Sequence, residues 1–236
     1  MAETSSGSWF YHQLFRSERF NRAMSRHLQN PSGLFGRWVA RMMNESNQRM
    51  SERALDLLDI RVGDAILEIG FGGGPALRKM ASLCGSEGKA VGLDRSPTMV
   101  QRAQEQFAQL IEQDKLMLVE GDAEHLRFPD RHFDGVATTN TIYFWEHPAV
   151  ALAQIFRVLK YGGRLVIAFR TEATMQRMPF VKQGFTLYTP ERVHTLLKEA
   201  GFEQIRFEES SDDELGYVLV VGVKPDAGGD GLPYRV

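Results

Sequence analysis

Two different hydrophobic patterns divide the chain near residue 60. Over residues 9–59 apolar side chains recur about every 3.6 residues, which predicts amphipathic helices, and the NPSG stretch at 30–33 predicts a break between them. From residue 60 to 224, short apolar runs alternate with helical patterns, as is typical of a doubly wound, mostly parallel α/β sheet. Small polar residues predict a disordered tail at 1–8, and Gly and Pro predict a second flexible tail at 225–236.

The pattern from residue 60 onward predicts the order of the elements. Strands are predicted at residues 64–70, 89–94, 116–122, 133–140, 164–169, 202–209 and 217–224. Helices are predicted at residues 75–84, 96–110, 147–160 and 189–201. Only the stretch SSDDELG separates the last two strands, which is too short for the crossover that a parallel pair needs. These two strands are therefore predicted to pair antiparallel.

Composition and charge exclude several classes of protein. The chain has 236 residues, 43% of them hydrophobic, with a formal net charge of −2, so no overall basic field favours a nucleic-acid partner. It holds one cysteine, Cys84, which excludes an intrachain disulfide and fits a reducing compartment. No apolar run reaches ~18 residues, and the first residues lack the apolar core of a secretory signal. A cytoplasmic location is therefore expected, and no metal site is predicted.

The stretch ILEIGFGGG at 66–74 is the first candidate for chemistry, because four glycines follow a short strand. A phosphate-binding P-loop would need Lys followed by Ser or Thr at its end, and a dinucleotide fingerprint would need a small residue where Pro75 stands. The pattern E-x-G-x-G-x-G fits fully, with Glu68, Gly70, Gly72 and Gly74. A carboxylate at Glu68 would repel a pyrophosphate and would suit a ligand that carries an ammonium and a sulfonium group. The alternative is a plain strand-to-helix turn.

Two more acidic residues end the next two predicted strands. Asp94 could accept both hydroxyls of a ribose, since Ser96 is expected to cap the helix that follows and to leave Asp94 free. Asp122 could accept a hydrogen bond from an exocyclic amine such as adenine N6. Each could also be an ordinary cap or turn residue. Together with Glu68 they stand at successive strand ends, the edge at which open α/β sheets bind ligands.

Five motifs together resemble a known family. They are LEIGFGGG, VGLDRSPTM, EGDAEHLRFPDRHFD, TNTIYFW and RVLKYGGRLVI, within roughly residues 60–224. The chain resembles the class I S-adenosylmethionine-dependent methyltransferases of the small-molecule type, which includes the ubiquinone and menaquinone C-methyltransferases. The resemblance implies a seven-stranded Rossmann-like sheet with the last strand antiparallel. One departure is Tyr161, where family members commonly carry Pro, and only turn stiffness is expected to change.

The resemblance also implies a cofactor, S-adenosyl-L-methionine, and residues that bind it. Glycines of the loop and its phenylalanine would contact the methionyl part, and a residue after the fourth strand would contact the same end. The second and third strand ends would hold the ribose and the adenine. The cofactor-binding candidates are Glu68, Gly70, Phe71, Gly72, Gly74, Asp94, Arg95, Met99, Asp122, Ala123 and Asn140.

A sulfonium methyl is already activated, so such a protein must mainly align the acceptor and exclude water. Tyr143, Trp145 and His147 are predicted to line the acceptor pocket, with Tyr143 or His147 as a candidate general base and Phe144 in the core. The long connection at 169–188 is predicted to form an apolar wall with Arg170 at its entry, which favours a largely apolar small-molecule acceptor.

The N-terminal helices have two candidate roles. Residues 9–53 hold eight arginines and three acidic residues, a net charge of +5. The segment is predicted to be a lid over the cofactor, and a peripheral membrane contact, which would admit a lipid or quinone acceptor, is the alternative. Alternatives for the whole chain are a nicotinamide oxidoreductase, which Glu68 and Pro75 disfavour, and a cofactor-binding protein without acceptor chemistry. No oligomeric state follows from the sequence.

Overall fold

The structure is a computed structural model, and it describes residues 47–177, 185–210 and 216–227. The predicted tail at 1–8, the predicted helix break at 30–33 and most of the predicted N-terminal lid lie outside these residues. Most of the predicted C-terminal tail lies outside them as well.

Helices and strands alternate along the described chain. A first helix, α1, covers residues 47–58 of the described chain. The other helices are α2 Leu77–Cys84, α3 Pro97–Gln106, α4 Ala108–Glu112, α5 Pro148–Val158, α6 Glu172–Met175 and α7 Pro190–Glu199. The strands are β1 Ala65–Ile69, β2 Lys89–Asp94, β3 Leu116–Glu120, β4 Phe133–Thr139, β5 Leu159–Phe169, β6 Glu203–Ser210 and β7 Tyr217–Val223. Two short 3₁₀ helices, Ala123–His125 and Ile142–Phe144, follow β3 and β4.

The strands form a seven-stranded sheet in the order β3-β2-β1-β4-β5-β7-β6. β1 through β5 pair in parallel, and β7 lies antiparallel between β5 and β6. The predicted sheet and its antiparallel last strand are therefore confirmed. In this order the chain crosses from one half of the sheet to the other next to β1, where an open α/β sheet leaves a crevice at the carboxyl ends of its strands.

Apolar side chains fill both faces of the sheet. One buried cluster joins α5 and α7 to the sheet through residues such as Leu67 and Ile155. The other joins α1, α2 and α3 to the opposite face through residues such as Ile66 and Met80. Because side chains alternate along a strand, Glu68 lies on the same face as Ile66, the face that α1 covers.

Helix α1 is part of the core. Met50, Ala54, Leu55 and Leu58 recur at helical spacing, and each is buried at 5% exposure or less. Two ion pairs join the helix to the rest of the domain, from Arg53 to Glu208 and from Lys79 to Asp56. The segment 47–58 is thus an integral layer of the domain.

Two predicted helices end differently in the structure. The helix predicted at 96–110 is interrupted at Phe107, whose φ of −113° and ψ of 19° separate α3 from α4. The helix predicted to reach residue 160 ends at Val158, and the chain passes directly into β5. The Gly162–Gly163 turn therefore lies within that strand and does not end the helix.

The sequence led us to expect that Tyr161 would alter only the stiffness of its turn, but its ring also contacts two cationic side chains. Its ring centre lies 5.6 Å from the Arg131 guanidinium carbon and 5.1 Å from the ammonium of Lys224. Lys224 also donates to the carbonyls of Phe156 at 2.7 Å and Leu159 at 2.8 Å. These contacts satisfy carbonyls at the end of α5, where a helix lacks partners of its own.

Among the described residues, no helix is both long and apolar enough to cross a lipid bilayer.

Candidate functional site

A cleft opens at the carboxyl ends of β1, β2, β3 and β4. Four described segments of the sheet edge and the first turns of α1 line it. The lining residues are Asn47, Ser51, Glu68, Ile69, Gly70, Phe71, Gly72, Gly73, Pro75, Leu93, Asp94, Arg95, Met99, Gly121, Asp122, Ala123, Thr139, Asn140, Thr141, Phe144 and Trp145. Ten of the eleven cofactor-binding candidates are in this set, and the exception is Gly74. The structure therefore brings together predicted residues that lie up to 72 positions apart in the sequence, from Glu68 to Asn140.

The positions of the loop after β1 require glycine for different structural reasons. A side chain at Gly70 would collide with the methyl group of Thr141, and one at Gly74 would lie 2.7 Å from Leu77 and 2.9 Å from Phe107. A side chain at Gly72 would meet nothing within 4 Å, although φ there is +54°. Gly70 and Gly74 are thus required by packing, whereas Gly72, a residue that lines the cleft, has open space beside it. That space is what a ligand approaching the backbone would need.

Asp94 holds the glycine loop against the end of β2. Its Oδ2 accepts from the amide of Gly72 at 2.7 Å, and its Oδ1 accepts from the amide of Ser96 at 2.9 Å. Ser96 is the N-cap residue of α3, as predicted, but its buried hydroxyl makes no capping bond. The expectation that Asp94 is left free is wrong, because both of its oxygens accept from backbone amides. Burial raises the pKa of Asp94, while the two amides and Arg95 oppose the shift. Each carboxylate oxygen keeps a further lone pair for a ligand hydroxyl.

Glu68 is the most unusual ionisable group in the cleft. It is 3% exposed, and its Oε2 has no hydrogen-bond partner within the described protein. Burial, with a smaller contribution from the charge of Asp94, raises the pKa of Glu68 to about 8. An unpartnered buried carboxyl is costly unless a cation or donor meets it. Glu68 and Asp94 together therefore favour a cationic ligand with neighbouring hydroxyl groups.

The adenine-side candidates lie at the next strand ends. Arg95 is exposed, while Met99 and Ala123 are buried at 2% and 4% exposure. The Oδ1 of Asp122 accepts from the amide of Glu124 at 2.8 Å and caps the 3₁₀ helix after β3. Both predicted roles of Asp122 are thus compatible, because its other oxygen is in no hydrogen bond that the described structure contains.

Asn140 occupies a strained position directly after β4. Its φ is 55°, in the left-handed region, and its amide donates to the carbonyl of Ala168 at 2.8 Å. Asn tolerates this conformation better than most residues, yet it remains uncommon outside functional sites and turns. Asn140 lines the cleft, and its side chain contacts α1.

The acceptor-side candidates are arranged differently from the prediction. Tyr143 is 3% exposed and does not line the cleft, while Phe144, predicted to be core, does. Trp145 lines the cleft as predicted. His147 is exposed, lies at the start of α5 and is not a lining residue, so its place is that of a helix start.

Arg170 was predicted to lie at the entry of the pocket, but it does not line the cleft. It is 4% exposed, and its guanidinium donates to the carbonyl of Gly216 at 2.9 Å. The apolar character of the wall is retained by Phe185, whose ring centre lies 4.9 Å from that of Phe144. Met178 and Phe180 of the same connection lie outside the described residues.

Sequence reasoning missed the contribution of α1 to the cleft. Asn47 and Ser51 are one helical turn apart and both line it, with Ser51 buried at 3% exposure. Thr139 and Thr141, which flank Asn140, were missed as well. A polar pair at i and i+4 among apolar helix positions was the available signal, but nothing in the sequence showed which strand ends that face would meet.

The sequence of the chain is similar to those of known methyltransferases. Residues 67–167 match the family model described as a methyltransferase domain, which confirms the resemblance that the motifs predict. The C-methyltransferase UbiE of ubiquinone and menaquinone biosynthesis from Pseudomonas savastanoi is 34% identical over 125 residues, 53% of this chain and 49% of that protein. The 27-O-demethylrifamycin SV methyltransferase of Amycolatopsis mediterranei is 27% identical and covers 74% of this chain and 65% of its own. The chain spans about half the length of the first of these relatives.

Solved structures share the fold at low sequence identity. A chain from the complex between the Haloferax volcanii Trm112 methyltransferase activator and a methyltransferase superposes with a TM-score of 0.67 at 24% identity, covering 79% of this chain and 94% of that chain. The cyclase SpnF superposes with a TM-score of 0.64 at 21% identity, covering 77% of this chain and 82% of its own. The fold alone is therefore compatible with more than one chemistry.

Proposed function

We propose that this protein, which carries a methyltransferase domain over residues 67–167, transfers the methyl group of S-adenosyl-L-methionine to a small, largely apolar metabolite. The observation that carries the proposal is the buried carboxyl of Glu68 in the cleft, whose Oε2 has no hydrogen-bond partner among the described residues. An ammonium or sulfonium group would satisfy it, whereas the pyrophosphate of a dinucleotide would meet two acidic side chains there.

The residues present fit the methionine and adenosine parts of this cofactor. Glu68 and Asn140 would hold the methionyl end, and the open space at Gly72 would admit it close to the backbone. Asp94 would accept the ribose hydroxyls through its remaining lone pairs. Arg95 and Met99 would flank the adenine, whose amine Asp122 and Ala123 would hold. The chemistry that the cofactor supplies when bound is a methyl group already activated by positive charge on sulfur.

The remaining work of the protein is to orient the acceptor and exclude water. Phe144 and Trp145 line the cleft next to Asn140, and Phe185 packs against Phe144. These aromatic side chains support an acceptor with a large apolar surface. The two candidate bases do not line the cleft among the described residues: Tyr143 is buried and His147 is exposed.

The test begins with the cofactor. Calorimetry should show that the full-length chain binds S-adenosylhomocysteine, the demethylated product, and does not bind NAD. Tight NAD binding without a response to S-adenosylhomocysteine would overturn the proposal in favour of a nicotinamide oxidoreductase.

The second step identifies the acceptor and separates an enzyme from a cofactor-binding protein without acceptor chemistry. Because a protein of the same fold is named a cyclase, the fold does not decide between them. A methyl-transfer assay should include ubiquinone- and menaquinone-type acceptors and a demethylrifamycin, the compounds that appear in the names of the two relatives. Binding of S-adenosylhomocysteine with no transfer to any acceptor would favour the alternative.

A further inference from the structure

A hydrogen-bonded chain of side chains passes through Asn140 and joins Asn47, which lines the cleft, to the buried Tyr143. The side-chain amide of Asn140 donates from Nδ2 to Oδ1 of Asn47 at 2.9 Å, and its Oδ1 accepts from the Tyr143 hydroxyl at 2.9 Å. Nδ2 also lies 3.5 Å from the sulfur of Met50. Both ends of the amide are therefore engaged, one by helix α1 and the other by the loop after β4.

Tyr143 links this amide to the end of β5. Its hydroxyl oxygen accepts from the backbone amide of Arg170 and lies 3.0 Å from the Arg170 carbonyl. The Arg170 guanidinium in turn donates to the carbonyl of Gly216, which directly precedes β7. A chain of contacts thus joins α1 and the carboxyl ends of β4 and β5 to the start of β7.

The surroundings of Tyr143 suit a fixed donor and not a base. The side chain is 3% exposed and does not line the cleft. Burial raises the pKa of Tyr143 well above its ordinary value, an effect that the backbone amide and the charge of Arg170 only partly oppose. Its proton is therefore retained, and the phenol can hold the carbonyl end of the Asn140 amide in one orientation.

We propose that Tyr143 and Asn47 are positioning residues that hold the side-chain amide of Asn140 for the methionyl end of the cofactor, which makes helix α1 a functional part of the cofactor site. The inference rests on the proposed function. It assigns to α1 a specific contact, because Asn47 and Asn140 lie 93 residues apart and meet only through the fold. It also replaces the predicted role of Tyr143 as a base by one exerted through Asn140.

The test measures S-adenosylhomocysteine affinity by calorimetry on the full-length chain. Tyr143→Phe and Asn47→Ala should each raise Kd by roughly threefold to tenfold, the ratio for one lost hydrogen bond. Asn47→Asp keeps the oxygen that accepts from Asn140 and should restore most of the affinity. The chain offers a matched control in Tyr188→Phe, since Tyr188 is also buried at 3% exposure but its hydroxyl has no hydrogen-bond partner in the described structure.

A double-mutant cycle separates positioning from a general structural effect. In an Asn140→Ala background, Tyr143→Phe should have no further effect on Kd, because its target is gone. Full additivity, or wild-type affinity in both Tyr143→Phe and Asn47→Ala, would overturn the inference. Unchanged affinity with lost methyl transfer would assign Tyr143 to catalysis and overturn it too.

The failure of this inference can be told apart from that of the proposed function. If the wild-type chain does not bind S-adenosylhomocysteine, the proposed function fails and the inference fails with it. If the wild type binds and the Tyr143 and Asn47 variants bind equally well, only the inference fails. Should Tyr143→Phe prove unfolded by circular dichroism, Asn47→Ala and its Asp counterpart at the cleft edge decide the question.

Discussion

At the scale of single residues, Gly72 separates the needs of the backbone from the needs of a ligand. We expect Gly72→Ala to cost about 1–2 kcal/mol of stability, because an L-residue is strained at its φ of +54°. Affinity for S-adenosylhomocysteine should fall much further, since the new methyl group would enter the open side of the loop. Thermal unfolding and calorimetry measure the two effects.

Gly63→Ala is the matched control for this prediction. Gly63 also has a positive φ, of +97°, and open space around it, but it precedes β1 and does not line the cleft. It should show the backbone cost without the loss of affinity. If both variants bind as the wild type does, the glycine loop is only a turn.

Glu68 makes the free protein sensitive to pH. Because its pKa rises from 4.5 to about 8 on folding, the folded state holds a proton that the unfolded state has released. The stability associated with that proton is fully present below 4.5 and is lost as pH rises through about 8. We expect the melting temperature of the wild type to fall relative to Glu68→Gln over this range. Parallel melting curves at every pH would contradict the prediction.

Ligand binding should reverse the preference of Glu68. A cationic group in the cleft stabilises the carboxylate, so binding near neutral pH should release a proton. Calorimetric enthalpies in buffers of different ionisation enthalpy report that release. The Glu68→Gln variant provides the comparison, since it cannot release a proton from this position.

At the scale of elements, helix α1 is where the N-terminal segment becomes indispensable. Removal of residues 1–45 leaves Met50, Leu55 and Leu58 in the core, so the shortened chain should fold and still bind S-adenosylhomocysteine. Methyl transfer should fall further than binding, because the acceptor side would be open to water. Loss of binding together with loss of the fold would contradict the prediction.

Removal of residues 1–59 is the contrasting deletion. It would take away several buried side chains, each worth about 2–5 kcal/mol by analogy with large-to-small core substitutions. Since a domain is stable by only about 5–15 kcal/mol, we expect this chain to be unfolded or insoluble. Circular dichroism and solubility distinguish the two deletions.

The elements differ in how far their sequence determines them. Strands β1, β2 and β7 are apolar runs bounded by polar residues, and their predicted limits agree with the structure within one residue. The break at Phe107 was not predictable in the same way, because α3 and α4 together read as one helical pattern. Phe107 is buried at 3% exposure beside the glycine loop, so its backbone follows a tertiary contact and not local propensity.

The sequence predicted the site residues near strand ends but not those that reach the site through tertiary packing. Glu68, Asp94 and Asp122 were found because each lies within two residues of the carboxyl end of a strand, and parallel strands share one carboxyl edge. Asn47 and Ser51 were missed because helix α1 reaches that edge only through packing. Tyr143 was predicted to line the cleft and Phe144 to be in the core, but the structure shows the reverse. The 3₁₀ turn at Ile142–Phe144 determines which of the two neighbouring side chains faces the cleft, and the sequence of two adjacent aromatic residues does not specify that choice.

At the scale of the whole molecule, the open question is whether the basic N-terminal segment forms a lid over the cofactor or contacts a membrane. The described part of that segment packs its apolar face inward, and Arg53 donates to Glu208 at 2.6 Å. We therefore expect the full-length chain to remain in the supernatant when mixed with anionic vesicles at low salt. Co-sedimentation that is released as salt rises, with methyl transfer kept after removal of residues 1–45, would support a membrane contact instead.

Cys84 can serve as a probe of local opening of the protein, although the proposed chemistry does not use it. The chain's single cysteine is fully buried at the end of α2, and burial, with smaller effects of Asp64 and Asp134, raises the pKa of its thiol to about 12. A maleimide or a disulfide reagent can therefore reach a reactive thiolate only when α2 opens from the sheet. The rate of labelling is then a built-in measure of opening. Any metabolite that slows it binds the closed form, so candidate acceptors can be screened before the reaction itself is known.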